Sequence, residues 1–477
     1  MTKRDRSART GSGRGGRAPL AGAMSRAALG LVLVASIPAP AQETLLVAPP
    51  TLLVPNDDSL PIGTWAAFEA NAAVVRADDS SAVWFNSAGL ARAGSSSAAA
   101  SASTIVKTTV TSETFASDVS GSQLTPSQFA AVLTSLREKT GLTLGFGITR
   151  VASWDVRADA LVFQDVPAGR RRLTYTENGS YTRTSYAAAA AGDLSKSLRG
   201  GLGISLESVE TVALVAGTDG IAGAETRAFS FRENAENTTL LLRATLGLQA
   251  DLGKGWGVGA VLRSPGLAVS TSTLYSGDFT LSTGSGTTNV SFFDGDADGE
   301  ARLPLEAVAG AAYAGERFSV EAKVRWIAST DAYDLFATSL PATVTSTVPG
   351  SAPSITQLPV PATRTSREAV TDVSIGGHID VKRGGKLRIH AGFGTSDSPV
   401  PADDPVYSRA DLRAATLGAT TRVSSLRLSL GFRYERGTID AVPSEVLPVG
   451  AYVRSSAEVR NLGVVFAFAY DAGGGGK

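Results

Sequence analysis

Apolar and polar residues alternate with a period of two through much of this chain. In one run Leu426, Leu428, Leu430, Phe432 and Tyr434 fall on one face, with Arg427, Ser429, Gly431 and Arg433 on the other. In a second, Phe318, Val320, Ala322, Val324 and Trp326 oppose Ser319, Glu321, Lys323 and Arg325. A third sets Leu242, Leu246 and Leu248 against Arg243, Thr245, Gln249 and Asp251. Successive side chains of a strand point to opposite faces, so each run offers one face to lipid and the other to water. A soluble sandwich alternates in the same way. The connections separate the two. Short turns at 314–316, 383–385, 423–425 and 253–255 are interleaved with long segments such as 264–300 and 329–366. Short turns on one side and long loops on the other are the threading of an outer-membrane barrel.

Followed along the chain, the pattern predicts an all-β protein, a transmembrane antiparallel β-barrel of about fourteen strands. They fall near 96–107, 142–149, 154–163, 182–192, 198–209, 240–252, 256–263, 301–313, 318–328, 367–382, 386–394, 410–421, 426–437 and 456–470. An even number returns both ends to the periplasm. The barrel takes residues 94–471, and its last strand aligns Leu462, Val464, Phe466, Phe468 and Tyr470 ahead of a Gly-rich tail, 472–477. Within the first long loop, Thr125-Pro126-Ser127-Gln128 has the form of a capping box with Pro at the first helical position. It predicts an amphipathic helix carrying Phe129, Val132, Leu133 and Leu136. Residues 42–93 do not alternate, and Pro49, Pro50, Pro55 and Pro61 break any long element. The segment is too apolar for a free tail, so it is expected inside the lumen as a plug.

Composition narrows the setting. No window supplies the ~18 uninterrupted apolar residues of a spanning helix, so membrane residence rests on strands. Arg26, the apolar stretch 27–36 and Ala39-Pro40-Ala41 before Gln42 read as a secretory signal. Residues 1–41 are therefore expected to be removed, with translation starting at Met24 and the basic stretch 1–23 ahead of the true start. They hold seven Lys/Arg and one Asp; the 37 basic and 43 acidic residues that remain give a charge near −6, which argues against a nucleic-acid partner. Zero cysteines exclude disulfides, Cys-ligated metal and a lipoprotein anchor. The expected location is the bacterial outer membrane, one chain per barrel, with outer-membrane lipid around it.

The run Asp78-Asp79-Ser80-Ser81-Ala82-Val83-Trp84-Phe85-Asn86-Ser87-Ala88-Gly89-Leu90-Ala91 resembles the hatch of the FadL-type transporters of long-chain fatty acids and other hydrophobic compounds. In that family an acidic pair and an aromatic lead into Asn-Pro-Ala-Gly-Leu; here Ser87 stands in place of the proline. Gly255-Trp256-Gly257-Val258-Gly259 running to Arg263-Ser264-Pro265 is similar too, as is Leu303-Pro304-Leu305-Glu306 leading into Gly310-Ala311-Ala312-Tyr313. With the strand count, the resemblance spans 63–470. It implies passive transport of an apolar small molecule, a long-chain fatty acid or an aromatic hydrocarbon, from an extracellular groove through the barrel to an opening in its wall. The hatch, 42–93, would gate access, with Asn86, Ser87, Ala88 and Gly89 as its gating residues. The groove would lie among loops 210–239 and 264–300.

Two other patterns carry chemistry. His378 and His390, the only histidines, fall on adjacent strands of one hairpin, on the polar face with Asp380, Lys382, Lys386 and Arg388. A hydrolase needs a nucleophile fixed beside the imidazole. The pattern offers a lumenal charge lattice instead, and no enzyme activity is expected. Asp294-Gly295-Asp296-Ala297-Asp298-Gly299 matches the first six positions of a Ca²⁺ loop, though position twelve is Leu305 rather than Glu. Weak Ca²⁺ binding by Asp294, Asp296 and Asp298 is the expectation, with no other cofactor. Two alternative functions stay open. One is a barrel of the same architecture serving as an assembly or secretion partner; the other, suggested by a charged lumen, is a porin for hydrophilic solutes. The plug favours transport of apolar molecules, since an open porin needs none.

Overall fold

The computed structural model describes residues 46–47, 53–57, 60–112, 116–117, 123–134, 136–166, 169–222, 227–381, 386–402, 404–441, 452–453 and 455–472. The signal expected at 1–41, the turn expected at 383–385 and the glycine tail beyond Ala472 lie outside the described residues. The wall is built from β1 (Ser96–Ser112), β2 (Gln123–Leu133), β3 (Leu142–Val166), β4 (Gly169–Asp193), β5 (Leu198–Ala222), β6 (Arg227–Gly253) and β7 (Trp256–Arg263). The chain continues through β8 (Leu267–Thr283), β9 (Gly286–Asp294), β10 (Glu306–Ala314), β11 (Phe318–Ile327), β12 (Thr330–Phe336), β13 (Ala342–Thr347), β14 (Ser354–Leu358) and β15 (Thr363–Arg367). It ends with β16 (Val370–Asp380), β17 (Leu387–Ser396), β18 (Arg409–Val423), β19 (Leu426–Ala441) and β20 (Ser455–Ala472).

Fourteen of these, β1 to β7, β10, β11 and β16 to β20, close an antiparallel ring, each paired with the next. β20 returns to β1 from Ser96↔Ala472 to Ser112↔Ala457. Closure removes the sheet edges that lipid could not hydrogen-bond. The ring is apolar outside and charged inside. On β11 the alternation is unbroken, with Val324 and Trp326 outward and Glu321, Lys323 and Arg325 buried. On β19 Leu430 and Phe432 are 57% and 55% exposed while Arg433 is 7%. Covering each such leucine or phenylalanine by lipid contributes roughly 1.5–3 kcal/mol, so the bilayer is this surface's solvent. Trp256, Tyr313 and Phe318 pack together beside the short turns, Trp256 and Tyr313 with ring centres 5.1 Å apart. They form part of an aromatic girdle.

Two sequence expectations are corrected, and they compensate. Residues 123–133 form strand β2, not the helix expected after Thr125-Pro126. Thr125, Ser127, Gln128, Ala130 and Val132 are buried, Phe129 and Leu133 project outward, and Leu136 falls in the turn that follows. A capped helix start is worth about 1 kcal/mol, whereas withdrawing β2 would strand backbone groups of its neighbours in lipid at several kcal/mol each. Conversely, 142–149 and 154–163, expected as two strands, are the single strand β3. Its register with β4 slips between Arg150 and Ala152, and this bulge at Val151 breaks the period of two as a strand boundary would.

A third correction concerns the long loops. Residues 210–239, 264–300 and 329–366 are largely strand: β4 to β6 run 25, 25 and 27 residues, β8, β9, β13 and β14 extend the wall beyond the membrane, and β12 and β15 pair with each other as a separate two-stranded sheet. Inward on this extension lie Tyr175, Phe229, Phe231, Tyr275 and Phe292, a buried aromatic layer that keeps the high sheet from being a bare ribbon.

Candidate functional site

Residues 53–57 and 60–93 contain no strand and are nearly all buried against inward-facing groups of the ring. A segment without a ladder must satisfy its backbone by other means. Here side chains do so. Asn71 donates to the Leu60 carbonyl (2.9 Å) and accepts from Ile62 N–H (3.0 Å), closing the first loop. Glu321 of β11 accepts from the N–H groups of Val74, Val75 (2.8 Å) and Arg76 (3.1 Å). Thr416 of β18 donates to the Phe68 carbonyl at 2.8 Å and accepts from Ala70 N–H at 3.1 Å.

The motif residues fall in this segment. Asn86, fully buried, caps the short 3₁₀ helix Ser87–Arg92 by accepting from Ala88 N–H at 3.1 Å. Its amide donates to the carbonyls of Val74 and of Leu248 on β6, both at 2.9 Å. Asn86 thus joins two parts of the segment to the wall. Close approach requires small partners: a Cβ on Gly89 would lie 1.7 Å from the Ala77 carbonyl oxygen, and one on Gly247 of β6 would lie 2.2 Å from Asn86 Oδ1. Ala88 is buried with them, and the Ser87 hydroxyl, where the family pattern has proline, is buried with no hydrogen-bond partner among the described residues.

Around this segment runs a buried ionic network. Arg183 (β4) donates to Asp57 at 2.8 Å and Glu207 (β5) at 2.6 Å, and Arg367 (β15) reaches Asp57 at 2.9 Å. Arg325 (β11) and Arg263 (β7) share Glu306 (β10), the former at 2.9 Å. Arg263 also donates to the Trp84 carbonyl and lies over its ring at 4.3 Å. Burial alone would raise the Asp57 carboxyl, but the guanidinium groups of Arg367, Arg183 and Arg325 hold it down at about 2. The inward parity of Arg243, Glu321 and Arg325 was legible in the sequence. That Glu321 meets Arg76, that Arg183 and Arg367 meet Asp57 and that Arg263 meets Trp84 was not, because Asp57, Arg76 and Trp84 carry no periodicity.

Beside the network lies the aromatic layer: Tyr275 packs edge-on to Phe292 at 4.9 Å, and Tyr181, which accepts from Arg367, packs edge-on to Tyr407 at 6.1 Å. In the wall beside it one ladder stops early. β2 pairs β3 only from Leu133↔Leu144 to Gln128↔Thr149, although β3 continues to Val166. Just beyond, Leu60 N–H donates to the Val151 carbonyl at 3.3 Å, and Gly63 N–H to Ser101 Oγ at 3.2 Å. Outside this point lies a depression of about 420 Å³ lined by Ala100, Ala102, Pro126, Phe129, Ile148 and Phe466, among others.

The remaining sequence candidates separate. Asp294 accepts from Thr338 and from Asp296 N–H, and the Asp298 carbonyl accepts from Ala337 N–H. Among the described residues, the one trio of potential ligands whose atoms all lie within 4.8 Å of one another is elsewhere: Glu69, His378 and His390.

No family model matches the chain, and no curated protein matches it by sequence. Solved structures do. A FadL homologue of Pseudomonas aeruginosa aligns over 89% of this chain and 99% of its own, at 12% identity and a TM-score of 0.53. The toluene transporter TodX of Pseudomonas putida covers 86% and 98% at 12% identity and 0.54, and the toluene transporter TbuX of Ralstonia pickettii 87% and 99% at 11% and 0.50. The chain therefore has the fold of the FadL-type outer-membrane transporters.

Proposed function

We propose that this chain is a passive outer-membrane channel for apolar small molecules, which enter through the aromatic layer and leave sideways into the bilayer between β2 and β3. The observation that carries this reading is the early end of the β2–β3 ladder, with Leu60 covering the freed edge of β3. Direct descent is unfavourable. Below the aromatic layer an apolar molecule would have to part buried ion pairs, at about 3–5 kcal/mol for each one broken. The sideways path opens into a depression that mixes Ala100, Ala102, Phe129, Ile148 and Phe466 with Arg150 and Glu210, and among the described residues no ion pair between those two has to be parted. In this reading residues 42–93 are the plug, Asn86, Ser87, Ala88 and Gly89 hold it, and the stretch from Leu60 to Gly63 is the part that moves.

Among substrates, neutral aromatic hydrocarbons suit the site better than fatty acids. Arg171 and Arg367, the arginines buried beside the aromatic layer, already hold Asp219 (2.7 Å) and Asp57 (2.9 Å), so a carboxylate would have to displace one of these. The test is uptake into proteoliposomes. The mature chain should accelerate labelled toluene more than labelled oleate, and a chain lacking residues 53–93 should also leak hydrophilic dyes. Faster oleate would overturn the choice of substrate alone. No acceleration of either by correctly folded protein would sink the channel reading in favour of an assembly partner, and dye leakage through the intact chain would favour a porin.

A further inference from the structure

The trio Glu69, His378 and His390 is built rather than incidental. His378 (β16) and His390 (β17) are direct cross-strand partners, and both turn Nδ1 toward the same oxygen, Glu69 Oε1, at 3.1 and 2.7 Å. Glu69 ends the 3₁₀ helix Ala66–Glu69 of the lumenal segment, and its backbone sits directly on the wall. A Cβ on Gly376 or Gly392 would come within 2.2 or 2.4 Å of that backbone. The second carboxylate oxygen, Oε2, is held by Arg76, which is fixed in turn by Glu321 at 3.0 Å and whose second terminal nitrogen stands 3.5 Å from His378 Nδ1, a contact the ion would have to replace. One oxygen is thus left for the imidazoles while the other is locked from behind, the arrangement by which outer groups orient a ligating carboxylate.

From this geometry we propose that Glu69, His378 and His390 bind one first-row divalent ion, Zn²⁺ being the best match, through two Nδ1 atoms and Oε1, with a fourth position left to water. Two imidazoles and a carboxylate are the donor set of a zinc site with an open position, and borderline-soft nitrogen ligands select Zn²⁺ or Co²⁺ over Ca²⁺ and Mg²⁺. Bonds of 2.0–2.1 Å set ligand atoms roughly 3.3 Å apart in a tetrahedron, so Oε1, now at hydrogen-bond distance from the two Nδ1 atoms (3.1 and 2.7 Å), would draw back slightly to admit the ion. Charge favours a cation as well. With neutral imidazoles, Glu69 and Glu321 face a single guanidinium, Arg76, while the adjacent Arg388 is matched by Asp380 at 2.8 Å. An ion here would staple the lumenal segment to the β16–β17 hairpin, two residues from the end of β16. The proposal does not depend on what the barrel transports.

The chain makes the test clean, since it has two histidines and no cysteine. Folded full-length barrel, purified without a histidine tag, should take up one ZnCl₂ per chain by calorimetry and give the intense visible absorption of tetrahedral Co²⁺ with CoCl₂. His390→Gln and Glu69→Gln should each weaken Zn²⁺ binding at least tenfold. Should either fail to give a heat-modifiable barrel, His378→Gln decides, because that ring is partly exposed. Absence of saturable Zn²⁺ uptake by the wild-type chain, or equal affinity in the His378→Gln variant, overturns the site.

Discussion

Leu60 donates its backbone N–H to the Val151 carbonyl, 3.3 Å away, where β3 has lost β2 as a partner. A lone backbone hydrogen bond contributes about 0.5–1.5 kcal/mol, so this seal opens far more readily than a ladder. In a chain without native cysteines, Leu60→Cys with Val151→Cys should cross-link on oxidation and stop toluene uptake, and reduction should restore it. Undiminished uptake through verified cross-linked protein would place the exit elsewhere.

The Asn86 side chain ties Val74 and Ala88 to β6 and β7 through four hydrogen bonds. Asn86→Ala should destabilise the lumenal segment by about 1–3 kcal/mol while leaving the ring intact, since no ladder bond depends on it. Hydrogen exchange should speed up within 60–93 and stay unchanged in β16 to β20. Equal protection in both proteins would remove Asn86 as an anchor.

Asp57 sets a pH window. Its folded value of about 2 lies below its ordinary 3.8, a stabilisation of roughly 2 kcal/mol. For a depressed carboxyl that contribution is complete above the ordinary value and is lost as pH falls through the folded one. Exchange from the segment, corrected for intrinsic rates, should attribute no loosening to Asp57 from neutral pH down to about pH 5, with release only below about pH 3. Asp57→Asn should loosen it at every pH, because Arg367 then loses its carboxylate and Arg183 keeps only Glu207. Release of the wild-type segment near pH 6 would assign the anchor to a different group.

Gly247 lets Asn86 reach the wall, and a Cβ there would come 2.2 Å from Asn86 Oδ1. Gly247→Ala should therefore reproduce the Asn86→Ala phenotype, and the double variant should be little worse than either alone, as coupled neighbours are. Full additivity would show that the two act separately.

Where two faces differ in solvent, the alternation of single residues carried the structure. Leu430 against Arg433 or Val324 against Arg325 placed their strands and their sides without any partner being known. Val151 and the Thr125–Gln128 run misled for local reasons. A bulge looks like an end, and a capping pattern is satisfied within four residues whether or not a neighbour claims the backbone. The hatch motif pointed to Asn86 by resemblance. That Glu69 meets both histidines and that Asp57 sits between Arg183 and Arg367 depends on how an aperiodic segment threads the ring. Nothing in its own sequence encodes those partners.

The inward face is layered, with Tyr275 and Phe292 high on the extended sheet and the ions around Asp57 and Glu306 lower down. On the channel reading, selectivity and sealing occupy different residues. A lineage that trimmed Tyr275 or Phe292 to admit a bulkier solute would leave the floor of the vessel untouched, so the range of molecules admitted can drift while the membrane stays tight to water and ions.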